Sequence, residues 1–224
     1  MKINPVAISV LAIFLLTLSS CLTANKVNNF VAVHYNNEFP EPGKKMKPEI
    51  EVSPAFTSDK SISTTVHKTD KFLPLLVYWK YDQRKNCSLN PSIPVINFSN
   101  AINSVATKRL TDKLNGRKLE LIVEQAPAAF SLVIKENLIW LILAYSWSKI
   151  YIEPDFKDLV VSYKLMEADN TLKSGQITVK NINDIKGRRF FQSWKSATSE
   201  YLSEYNSNFT SMTKSFVDQL AEEL

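Results

Sequence analysis

The sequence predicts an α+β domain in two layers: an antiparallel sheet of about five or six strands, with two helices on one face, the second long and C-terminal. Three observations carry this expectation. Apolar residues recur at three- and four-residue steps over 98–114 and again over 190–224, the period of a helix with one buried stripe. Between those stretches, short segments alternate apolar and polar residues, as half-buried strands do. The order is strand, helix, several strands, helix, which stacks helices on one side of a sheet.

The first strand is expected over residues 72–81, Phe-Leu-Pro-Leu-Leu-Val-Tyr-Trp-Lys-Tyr, rich in aromatic and aliphatic residues. Pro74 lacks an amide proton and so belongs at an edge or a strand beginning. A loop rich in Asn, Ser and Pro follows over 83–94. Phe98, Ile102, Val105, Ala106, Leu110 and Leu114 then form the stripe of the first helix, and Asn115-Gly116 supplies its stop. Leu119, Leu121 and Val123 alternate with Lys118, Glu120 and Glu124 as the next strand. Segments 130–134 and 138–152 read as strands joined by a turn at Lys135-Glu136-Asn137. Leu159, Val161, Tyr163 and Leu165 make another strand, and Asp169-Asn170 turns the chain into the last, 172–179. The final helix begins near Phe190 and runs either unbroken or as two pieces joined at Asn206-Ser207-Asn208.

Upstream of residue 71 the chain reads differently. Residues 1–20 look like a processing segment, 21–70 like a tether with partial order, and 71–224 like the folded domain. The tether is punctuated by Pro40, Pro42, Gly43 and Pro48, carries Lys44, Lys45 and Lys47, and includes a short apolar piece at Phe30-Val31-Ala32-Val33. Its lysines suit a solvated linker or a contact with anionic headgroups.

At the amino terminus, Lys2 precedes an apolar run over 6–18, about 13 residues, where a spanning helix needs about 20. The run ends in Leu18-Ser19-Ser20-Cys21. This resembles the lipobox of bacterial lipoproteins. The resemblance implies cleavage before Cys21, attachment of acyl chains to its thiol, and a body held at a membrane of the cell envelope. Leu22 stands where an aspartate often marks retention at the inner membrane, which leans toward the outer membrane, facing the periplasm. In element order, residues 72–224 are similar in outline to small envelope lipoproteins of the lipopolysaccharide-assembly type and to auxiliary lipoproteins of ABC-type transport systems. The function expected first is a non-catalytic accessory or transport-associated module, held at the membrane by its lipid and binding an envelope protein or lipid; the alternative is a carrier or sensor that holds a lipid or other apolar molecule on the sheet face.

Composition narrows the function classes further. The chain of 224 residues has only four glycines, which leaves little room for a glycine-rich phosphate loop. A net charge of +5, scattered along the chain, is too mild for a nucleic-acid footprint. The two histidines, His34 and His67, stand outside any ligand-like spacing, so no metal or cofactor is expected, and Ser-His-Asp chemistry has little to draw on. With Cys21 acylated, Cys87 has no intrachain partner and is expected to pack as a small apolar residue. Carboxylates such as Glu120, Asp155 and Asp158 fall on polar faces or turns; a paired-carboxylate hydrolase stays open only because sequence spacing does not reveal their geometry.

Two segments break the one-face rule. Residues 72–81 and 138–152 are apolar on both sides, so something must cover the second face. Either the tether folds back with Phe30, Val31 and Val33 as a lid, or Tyr78, Trp79, Trp140, Tyr145, Trp147 and Tyr151 form an apolar surface for a lipid chain or a partner. Arg188 and Arg189, just before the long helix, either solvate its start or contact a phosphate group.

Overall fold

The computed structural model describes residues 22–37, 49–55, 61–73, 77–106, 108–140, 144–168, 170–189 and 192–224. Its elements are α1 (Ala24–His34), β1 (Ile50–Pro54), β2 (Ser63–Leu73), β3 (Tyr78–Ser88), α2 (Ser92–Val105), α3 (Lys108–Leu114), β4 (Lys118–Gln125), β5 (Ala129–Trp140), β6 (Ala144–Pro154), β7 (Leu159–Glu167), β8 (Asn170–Val179), β9 (Lys186–Gly187) and α4 (Trp194–Glu223). The α+β class is as expected, but the strands form two sheets instead of one. The first has the order β1-β4-β7-β8, and the second β2-β3-β5-β6-β9. All pairings are antiparallel except β1 with β4, which is parallel.

Two of the chain's passages between the sheets lie side by side at a corner, from β4 through 126–128 into β5 and from β6 through 155–158 into β7. One helix spans that corner. The α4 helix is capped by Ser193, whose hydroxyl accepts from the Ser196 amide at 3.1 Å. It runs unbroken through Asn206-Ser207-Asn208 and buries Tyr201, Tyr205, Phe209, Met212, Phe216 and Leu220 along one stripe. Tyr201 meets Phe130 of the second sheet with ring centroids 5.3 Å apart. The fully buried Tyr205 donates to the Pro127 carbonyl at the corner, 2.7 Å away, and burial pushes its phenol well up. Near the other end, Phe216 packs edge-on against Phe98 of α2 at 5.4 Å. In the first sheet Leu119, Leu121, Val123, Leu159, Val161 and Tyr163 supply the buried face, as their alternation predicts.

Gly175 of β8 sits opposite Tyr163 of β7, and the tyrosine ring lies over it. A Cβ at Gly175 would come within 2.8 Å of the ring, which is itself buried. Gly175→Ala should therefore destabilise the protein by ~1–3 kcal/mol, read as a lower denaturation midpoint. Gly187→Ala, where a Cβ meets nothing within 4 Å, is the matched control. Equal midpoints for the two variants would contradict this packing.

Several element boundaries differ from expectation for identifiable reasons. Residues 72–81 are not one strand: β2 ends at Leu73 and β3 begins at Tyr78, with Val77 at φ 43 between them. Of the Asn- and Ser-rich stretch expected as loop, the first half is strand, since β3 continues to Ser88, and the last residues open α2 at Ser92. Lys135-Glu136-Asn137 is no turn either; β5 runs straight through it to Trp140. The first helix breaks into α2 and α3 at Ala106, whose ψ of 102 leaves the helical region. Its stop is as read, with Asn115 and Gly116 at φ 47 and 78. The last helix begins at Trp194, and Phe190 lies outside the described residues.

The stretch expected to be a tether enters the fold. Val27, Val31, Tyr35, Ile50 and Ile62 belong to the buried core, β1 joins the first sheet, and β2 runs across residue 71. Its partial order is thus α1, β1 and β2. Thr23 caps α1, accepting from the Lys26 amide at 3.3 Å, and the Val27 and Val31 side chains, one turn apart, anchor the helix to the body. No helix among the described residues is long and apolar enough to cross a membrane.

Candidate binding surface at the end of a four-stranded arm

Strands β2, β3, β5 and β6 pair along 11 or 12 residues each and together form an arm. Residues directly paired in an antiparallel sheet share a face, so the register sorts the arm into rows. Near its base, the row Val66, Lys85, Leu132 and Ile152 faces the body, and Lys85, Leu132 and Ile152 are fully buried. Lys85 donates to the Gln83 side-chain carbonyl. Beyond the row of Lys68, Gln83, Ile134 and Ile150, the rows at Thr69, Asp70 and Lys71 are mostly polar on both faces. Toward its far end the rows turn apolar again. Phe72, Trp79, Leu138 and Ser146 line one face there, and Leu73, Tyr78, Ile139 and Tyr145 the other.

Among the described residues nothing covers this end. Phe72 is 60% exposed, Trp79 46%, Trp140 56% and Tyr145 67%, with Leu73 and Val77 also exposed. Single exposed apolar residues are ordinary, but a contiguous group at one end marks a contact surface. The lid expected from the tether lies elsewhere. Val31 is buried in the body, Phe30 packs edge-on against Trp194 at 5.4 Å, and Val33 faces solvent. The Asn28 side chain meets Thr64, in the lowest rows of β2. Among the described residues, α1 therefore covers the arm's base and leaves its end open.

The six aromatic residues singled out in the sequence divide accordingly. Trp79, Trp140 and Tyr145 are the exposed group. Trp79 donates its indole N–H to Asp70 on β2, so its polar edge is satisfied while its ring stays outside. Tyr78 is half-buried and donates to the Asn137 side chain at 2.7 Å. Trp147 pairs with Tyr145, ring centroids 5.5 Å apart. Tyr151 sits lower, with the Lys135 ammonium 5.2 Å from its ring centre; the hydrogen bond and charge of Tyr151 hold that ammonium above the usual lysine range. A groove of about 610 Å³, open along one side, lies against the end and is walled by Trp79, Tyr81, Glu136, Leu138 and Trp147. Phe72, Leu73 and Val77 complete the surface; their two-sided apolarity was visible in the sequence, but their place at a hairpin end was not.

Arg188 and Arg189 border a second cleft of about 830 Å³ beside β6, together with Lys149, Tyr151 and Gln192. Arg189 is engaged by Glu200 of α4 at 2.8 Å, and Gln192 donates to the same carboxylate. That pairing places Arg189 in service of the helix start. The Arg188 backbone amide donates to the Ile150 carbonyl at 2.9 Å and extends the β9 edge.

Among the described residues, groups suited to chemistry are dispersed. His34 ends α1 against Tyr35, and burial lowers its pKa; His67 is exposed on β2. Cys87 is a buried free thiol, and burial pushes its pKa up to about 11. At neutral pH it is a thiol, packed as the sequence suggested. Among the described residues no group of three or more His, Cys, Asp or Glu side chains is placed to hold a metal ion. Asp155 and Asp158 serve the corner: Asp155 accepts from the Ala128 amide at 3.2 Å, and Asp158 from the Asn181 amide at 2.9 Å.

No family model matches this chain, and no curated protein or solved structure is significantly similar to it.

Proposed function

We propose that this protein is a lipid-anchored, non-catalytic module of a bacterial cell envelope that works by binding another envelope component, with the arm as its binding element. The observation that carries this reading is the uncovered apolar end of the arm, in a chain whose Leu18-Ser19-Ser20-Cys21 resembles a lipobox. Only Leu22 and Thr23 separate Cys21 from α1, and α1 packs into the core. A lipid on Cys21 therefore holds the body close to a membrane, not at the end of a long leash. Lipid on the cysteine supplies the address, and the arm supplies the contact.

A carrier of an apolar ligand is the neighbouring reading. It calls for an enclosed apolar cavity, whereas the groove at Trp79 is open on one side and has Glu136 in its wall. An open docking surface fits that shape better. Purification of the natural protein from detergent-solubilised membranes tests the reading. A lipid or partner protein retained by the wild type and lost from Trp79→Ser/Trp140→Ser is the expected outcome. A preparation with nothing bound, or the same molecules on both proteins, counts against it.

A further inference from the structure

We infer that the end of the arm enters the headgroup layer of a lipid bilayer, so that the component it binds is the membrane surface itself. This rests on the anchored reading above and adds the identity of the second contact.

Four observations converge on lipid. First, the end is apolar on both faces of the sheet: Phe72, Trp79 and Leu138 on one, Leu73, Ile139 and Tyr145 on the other. A docking protein covers one face of a sheet; a bilayer surrounds an inserted end from all sides. Second, the residue types are those of a membrane interface. Trp79, Trp140 and Tyr145 each have an apolar ring and a polar edge, the combination that settles at headgroup level.

Third, charge bounds the apolar rows on the body side. Among the described residues three rows, from Trp140 and Val77 back to Phe72, precede Asp70, Glu136, Lys71 and Lys80, a depth of about 10 Å at 3.3 Å per strand residue. Interfacial segments bury their apolar parts by about 5–10 Å. Behind the apolar rows, Lys68, Lys71, Lys80, Lys135 and Lys149 outnumber Asp70, Asp82 and Glu136, a balance that favours anionic headgroups.

Fourth, the anchor side agrees. Phe30 of α1 meets Trp194, and Tyr35 donates to Asn206 at 3.2 Å, so α1 runs in the same sense as the first half of α4. Going from Glu223 back to Trp194, α4 passes from the first sheet over the corner at Pro127 to Phe130 at the arm's base. Both helices therefore begin on the arm side of the body, and so does the short link to Cys21.

The test uses the natural protein reconstituted on phosphatidylcholine–phosphatidylglycerol vesicles whose acyl chains carry bromine, a short-range quencher of tryptophan. Two of the four tryptophans, Trp79 and Trp140, lie in the exposed end, so emission should fall roughly two-fold relative to unbrominated vesicles. The fall should largely vanish in Trp79→Phe/Trp140→Phe, a change that keeps an aromatic ring at each position. Flotation of wild type and Cys21→Ser is run alongside. Vesicle-bound protein with unquenched Trp79 and Trp140 overturns the insertion while leaving the anchor standing. Equal flotation of wild type and Cys21→Ser in high salt overturns the anchor, and the quenching then reports on the arm alone. Shielding of the same tryptophans without vesicles, together with a dimer in sedimentation, shows that a second copy covers the end and overturns the proposal.

Discussion

Phe216→Ala should lower the free energy of unfolding by about 3–5 kcal/mol, the cost of truncating a fully buried aromatic residue and leaving a partly unfilled cavity. Phe216 is fully buried in α4 and meets Phe98 of α2 edge-on. Its helix also touches the corner through Tyr205 and the second sheet through Tyr201. A loss at this position therefore loosens the element that ties the two sheets together. Since domains are stable by only about 5–15 kcal/mol, the variant should unfold at a markedly lower denaturant concentration. Phe156→Ala removes a ring that is largely exposed and should change the midpoint little. If both variants unfold at the same concentration, α4 does not have the central place assigned to it.

The second large effect concerns location. Cys21→Ser should move the protein from the membrane pellet to the salt-washed soluble fraction. No helix among the described residues is long and apolar enough to cross a bilayer, and the proposed source of stable association is the lipid on Cys21. Two or more acyl chains, at about 0.8 kcal/mol per buried methylene, make an anchor that salt does not remove. Among the described residues the apolar rows at the arm's end give way to charged residues within about 10 Å, so the contact proposed for it is interfacial and reversible. Wild-type protein should stay in the pellet through a high-salt wash, and the variant should not. Salt-resistant association of both proteins would refute attachment through this cysteine.

How much of this was legible in the sequence follows from where each element sits. In β4, β7 and α4, one face is buried and the other is wet, so Leu119, Leu121 and Val123, or Tyr201, Tyr205 and Phe209, announce their period directly. The arm obeys no such rule. Where its rows are polar, Lys135-Glu136-Asn137 reads as turn material although the ladder continues through it, and nearer the base so does Asn86. At its end both faces are apolar, which gave away that a cover was needed but not that a hairpin ended there. Polar residues were expected at the reversals, yet β2 and β5 end in Leu73 and Trp140 and β3 resumes at Tyr78. The division into two sheets was equally hidden, because alternation reports a buried face and not which strand lies beside it. The parallel pairing of β1 with β4 depends on a strand from the stretch that reads as tether. Leu75, Leu76, Leu141, Ile142 and Leu143, part of the two-faced apolar segments in the sequence, lie outside the described residues.

The anchored reading depends on fatty acid bonded to one sulfur beside the first packed helix. Intact-mass and amino-terminal peptide mass spectrometry of the protein isolated from its native membranes reads that bond directly. The expected product begins at Cys21 and is heavier than the bare polypeptide by a diacylglyceryl group and further acylation. A polypeptide that retains residues 1–20, or one that begins at or near this position with an unmodified thiol, would contradict it.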